Sequence, residues 1–189
     1  MALDKTGQAQ PISDPAPNVP FSTAFRNEMH KEESPKDDYK AINTGSGALG
    51  RYQLTDDALK DAGLKDRKTG QWTGKYGIHS AADFLNNPRA QELAAADYHE
   101  ANIRHLTANG AMNRTGQTYQ GIKAPITITD AGLVAAAHRY GAKTVGEYLD
   151  HVFAHKGISD QNTFPSGKEK AYLAIETRLR KFQNIPLRP

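Results

Sequence analysis

The chain has 189 residues and a mass of 20.7 kDa, room for one domain and a modest extension. Hydrophobic residues at 38% and charged residues at 24% exclude a fully disordered chain. The complete lack of cysteine excludes disulfides, thiolate metal sites and cysteine nucleophiles. The net charge of +3 is uneven: Lys168 to Pro189 holds six Lys/Arg against two Glu, which reads either as a solvated helix face or as contact with an anionic polymer. No stretch approaches the roughly 20 apolar residues that span a bilayer. The N-terminus has no basic segment followed by an apolar run, so no secretory signal is expected.

Residues 1–20 carry four of the ten prolines and read as a flexible arm ahead of one domain over 21–189. Phe21, Phe25 and Met29 recur every four residues after the candidate caps Ser22 and Thr23, predicting a helix over 23–33. Residues 34–50 are rich in turn formers and exclude a long helix. Thr55 caps a short helix through Leu59 that stops at Gly63, and the loop that follows holds Trp72, the one tryptophan. Ser80 caps a brief helix through Leu85. Asn87-Pro88 starts a longer one to about Ala108, with proline in its favoured first-turn place.

Residues 110–128 form a second irregular stretch, with a small hairpin expected in the segment from Thr118 to Thr129. Thr129 caps an alanine-rich helix ending at Gly141, a natural C-cap. Thr144 with Glu147, and Ser166 with Glu169, form two capping boxes, each followed by an amphipathic stripe. The expected architecture is mainly α, a single domain with long loops and a small hairpin.

The next step of the first stripe lands on Glu33. Burial against Phe25 and Met29 would keep its carboxyl protonated, as a general acid needs; the other reading ends the stripe at Met29 and turns Glu33 to solvent. The loop beyond places Gly45, Gly47 and Gly50 close together, then Arg51, Tyr52 and Gln53. No Gly-Lys-Ser/Thr follows, so it is not a phosphate cradle. A glycine-lined surface with Tyr52 and Gln53 offering hydrogen bonds suits a sugar polymer. Trp72 and Tyr76 could stack on sugar rings or plug the core. His99 with His105, and His151 with His155, lack a third metal ligand in sequence, and no metal is expected.

Glu33-Ser34, the run from Asp38 to Asn43, and the segment from Gly47 to Gln53 together resemble lysozyme-like peptidoglycan-cleaving enzymes: lytic transglycosylases, muramidases and their phage and effector relatives. The resemblance continues through 72–92 and 128–149 and covers about two thirds of the chain. It implies a lysozyme-like fold, with Glu33 as catalytic acid/base and Ser34 helping to orient it. Gly50, Tyr52, Gln53 and Trp72 would line the glycan cleft. The family's supporting tyrosine falls at His138, with Tyr140 close by, and either would support the acid from the far helix.

The resemblance implies cleavage of the MurNAc–GlcNAc β-1,4 bond of peptidoglycan without a cofactor. A single Glu serves a transglycosylase, whereas a muramidase would draw on Asp37 or Asp38 as second acid. Such an enzyme acts in the periplasm or on the wall. Without a secretory signal it would arrive by a non-Sec route, with a cognate immunity protein or delivery-machine component as partner, and with neither nucleic acid nor a membrane span involved. The alternative is a catalytically inactive lysozyme-like scaffold serving as a structural or wall-binding part of such a machine.

Overall fold

The computed structural model describes residues 18–34, 36 and 38–189. Most of the expected arm, residues 1–17, lies outside the described residues. Among the described residues six α-helices follow in chain order: α1 (Thr23–Glu33), α2 (Asp56–Asp61), α3 (Ala81–Leu85), α4 (Pro88–Ala108), α5 (Asp130–Ala154) and α6 (Glu169–Phe182). Two short strands, β1 (Thr118–Gln120) and β2 (Pro125–Thr127), lie between α4 and α5. Helix accounts for 54% of the structure, so the chain is mainly α.

Side-chain caps start most of the helices. Ser22, Thr55, Ser80, Asn87 and Thr129 each accept a hydrogen bond from the backbone N–H three residues on, satisfying one of the orphan donors of the first turn. The expected Ser166 cap is not used: α6 begins after Lys168, which makes no side-chain cap. Glu147, expected in a capping box with Thr144, carries an ion pair with Lys168 at 2.9 Å. The helix predicted to end at Gly141 resumes at once. α5 is one element kinked at Gly141, whose φ of 75° and ψ of 147° only glycine adopts freely.

α5 is the central element, packed between α4 and α6. Leu133 to Ala137 are inaccessible in an unbroken run, the signature of a helix surrounded on every side. Gly132 lets α6 come close, since a Cβ there would meet the Leu179 backbone oxygen at 3.2 Å. Phe25, Met29, Leu179 and Phe182 join α1 and α6 to this core. Each such side chain contributes about 1.5–3 kcal/mol by leaving water. Val19 is buried as well, so the folded part reaches back at least two residues before Phe21.

The expected hairpin is present. β1 and β2 are antiparallel, with Tyr119 opposite Ile126 and both buried, while their neighbours face outward. The turn-rich region after α1 is organised by two isolated antiparallel bridges, Ile42 to Leu49 and Leu49 to Leu54. These fold residues 41–54 into a tight loop beside the end of α1.

Candidate active site around Glu33

Glu33 closes α1 with its side chain only 4% exposed. The stripe Phe21, Phe25, Met29 therefore does extend to it, and the reading that turned it to solvent is corrected. Its surroundings differ from the expected apolar pocket. Arg178 of α6 donates from Nη2 to Glu33 Oε1 at 2.6 Å, and also donates to the Ala135 carbonyl at 3.4 Å. Arg139 Nη1 stands 3.9 Å from Glu33 Oε2 on a half-exposed side chain.

Glu33 opens onto a groove of about 340 Å³ lined by Ser34, Lys36, Asp38, Ala41, Ile42, Asn43 and Gln53. Glu33 and Gln53, twenty positions apart, thus meet in one depression. Gln53 has a left-handed backbone, φ 47°, although it is not glycine, and its Nε2 donates to the Gly50 carbonyl at 2.8 Å. Strain of this kind persists only where the surroundings over-determine it, and it concentrates at functional sites. Asp38, one expected second acid, lines the groove; its Oδ1 accepts the Lys40 N–H at 2.7 Å. Asp37, the other, lies outside the described residues. Ser34 lines the groove too, but its Oγ accepts the Asp38 N–H at 3.4 Å and so shapes the loop.

Gly50 and Tyr52, expected in the cleft, are turned into the protein. A Cβ on Gly50 would stand 2.0 Å from Gln91 Oε1, so the glycine makes room for Gln91. Tyr52 is 1% exposed because its hydroxyl donates to Glu92 Oε2 at 2.8 Å. Trp72 is not brought to the groove. It packs on the core at 6.1 Å from Phe84, with Lys65 Nζ 5.0 Å from its ring centroid.

His138, expected to support the acid directly, has other partners: the Tyr52 carbonyl at 2.9 Å and His99 Nε2 at 3.2 Å. Burial holds both imidazoles below the ordinary histidine value; for His138 the Glu33 carboxylate opposes that shift. Tyr140 is half-buried against the core. His105 is on another surface, and His151 and His155 stack at 4.2 Å, each hydrogen-bonded through a ring nitrogen.

Glu92 was not foreseen. Its side chain is inaccessible, and its oxygens take Arg26 at 2.8 Å, Arg51 at 2.6 Å and the hydroxyls of Tyr39 and Tyr52 at 2.8 Å each. This network pins the 39–52 loop to α1 and α4. Its signal in the sequence was a charged residue on the apolar face of α4, three before Ala95 and seven before His99.

The basic C-terminal segment is largely paired within the protein. Lys168, Arg178, Arg180, Lys181 and Arg188 each meet a carboxylate. A larger depression of about 600 Å³ between α4 and α5 is lined by His105, Asn109, Gly141 and Gly146 among others. Among the described residues, no group of three or more His, Asp or Glu is placed to hold a metal ion, and no helix is long and apolar enough to cross a membrane. Comparison with known proteins finds no matching family model, no matching curated protein and no matching solved structure.

Proposed function

We propose that the protein is a lysozyme-like enzyme that cleaves the MurNAc–GlcNAc β-1,4 bond of peptidoglycan, with Glu33 as general acid/base. The observation that carries this reading is the meeting of Glu33 and Gln53 on one open groove, beside a backbone held in a strained conformation. The groove is open and polar-rimmed, as a polymer threaded through it requires. Glu33 would act from its protonated form, giving that proton to the glycosidic oxygen as the bond to C1 breaks and leaving a carboxylate that Arg178 holds. Its carboxylate would then take the proton from the sugar's own hydroxyl as an anhydro ring closes, or from water in a hydrolase. Asp38, which lines the same groove, would assist the second course. A cognate inhibitor or delivery component remains the partner class this reading implies.

One observation favours a second reading, an inactive scaffold of the same shape. The Glu33–Arg178 pair is well buried, with side chains 4% and 9% exposed, which is also how a purely structural ion pair is kept. Digestion of purified peptidoglycan by wild type and Glu33→Gln, with muropeptides read by mass spectrometry, separates the two. Anhydro products lost in the variant support a transglycosylase, and reducing ends lost in it support a muramidase. Absence of products from the wild type, where a control enzyme works, leaves the scaffold.

A further inference from the structure

The least expected feature near the groove is a relay of two buried histidines that ends on a backbone carbonyl. His99 of α4 and His138 of α5 are 1% and 8% exposed. The Tyr52 oxygen can only accept, so His138 Nε2 carries a proton and donates it across 2.9 Å. His138 Nδ1 is then the bare nitrogen and accepts from His99 Nε2–H at 3.2 Å. His99 Nδ1 is left as a buried lone pair with no hydrogen-bond partner among the described residues, and the rings of Phe21 and Phe25 stand at steep angles to the imidazole, 5.2 and 5.3 Å away. Each step fixes the tautomer of the next.

Tyr52 is thus held at both ends, its phenol by Glu92 and its carbonyl by His138. The next residue is Gln53, with φ 47° and its side chain returned to the Gly50 carbonyl. That conformation closes the loop bracketed by the Leu49–Leu54 bridge, where the Gln53 N–H and Nε2 both donate to the Gly50 carbonyl, and the held Tyr52 carbonyl fixes the peptide that enters it. We propose that His138 is a positioning residue for this groove, oriented by His99, which holds the Tyr52 carbonyl so that Gln53 stays on the groove beside Glu33. The proposal rests on the cleavage reading only for its catalytic consequence; the relay stands on geometry.

A proton added to His138 Nδ1 would set N–H against N–H and break the relay. The groups facing that ring are Glu33 from α1, His99 and Tyr98 from α4, Arg139 on α5, Arg178 from α6, and Tyr52. Of these, Glu33 draws a proton on and the two arginines repel it.

The test uses the full chain with His138→Gln, which keeps a donor, and His138→Phe, which fills the space without one. Nitrogen-edited NMR of the histidine rings should show both His99 and His138 as Nε2–H tautomers at neutral pH. Peptidoglycan digestion by His138→Phe should fall about tenfold or more in kcat, with KM changed less, because a groove residue displaced by even 1 Å costs on that order. His138→Gln should recover most of the loss, and the acid limb of the wild-type pH profile should change in both variants. A Nδ1–H tautomer at His138, or a folded His138→Phe with wild-type kcat, overturns the proposal. If His138→Phe does not fold, the tautomers and the His138→Gln activity decide. If the wild type releases no muropeptides, the cleavage reading fails separately, and the backbone of Gln53 in a crystal structure of His138→Phe decides: a left-handed φ retained there overturns the proposal.

Discussion

Glu33, the last residue of α1, and Arg178, in the second half of α6, are 145 positions apart in sequence and joined by a 2.6 Å hydrogen bond. Neighbouring pairs run alongside, Lys181 to Glu28 and Glu32 on the more exposed side, so the first and last helices are fastened along their length. The exposed pairs contribute little each; the Glu33–Arg178 pair is the one whose disruption matters.

Arg178→Met should therefore destabilise the fold by about 3 kcal/mol, because it leaves a buried carboxylate with only the half-exposed Arg139, 3.9 Å away, as counter-charge. Urea unfolding measures this. The double variant with Glu33→Gln should recover a large part, since the stranded charge is gone. An additive double variant would show that the two side chains do not interact.

Gly50→Ala should cost about 2 kcal/mol or more, from overpacking and from a φ of 72° that alanine resists. Shortening the obstacle as well, with Gln91→Ala, should not restore stability, because Gln91 also binds the Arg51 N–H and the carbonyls of Tyr39 and Phe84. Thermal melts of the two single variants and the pair check both statements.

Gln53→Gly should separate stability from function. Glycine adopts a left-handed backbone at little steric cost, so removing the strain should leave the fold as stable or more stable by up to about 1 kcal/mol. Loss of the amide from the groove should nonetheless reduce muropeptide release. Melting curves and digestion rates on one preparation read both effects.

The histidine pair predicts an acid limit. Burial holds His99 and His138 below their unfolded values, so the unfolded chain binds more protons than the native one once pH drops beneath about 6.5. Stability should be unaffected by these two groups above that pH and should decline as pH falls below it. Urea midpoints from about pH 8 to 5 trace the effect. In His138→Phe the slope should be shallower.

What was legible in the sequence was local. Side-chain caps at Ser22, Thr55, Ser80, Asn87 and Thr129 act over three residues, and their rules need no tertiary knowledge. The step of four from Phe21 to Glu33 was legible for the same reason, and so was the hairpin. What bears on Glu33 from a distance was not: Arg178 arrives from α6, and a periodic stripe cannot say that a long cation fills the space beside it. Tyr52 and Gly50 were misplaced because the Gly47–Gln53 segment gives no sign of which residues face inward. That choice is made by Glu92 and Gln91 on α4, some 40 positions later. Gln53, whose backbone escapes the preference of its residue type, was placed by the resemblance that the Gly47–Gln53 segment carries.

The pairing of α6 with α1 sets an order of assembly. Glu33 leaves the ribosome early, with its groove loop soon after, yet the guanidinium that occupies its Oε1 follows only when α6 has been made and packed against the second half of the chain. A nascent or truncated chain ending before Arg178 carries the acid but no finished pocket around it. If Glu33 is catalytic, the protein is born without its activity and acquires it as the last helix closes.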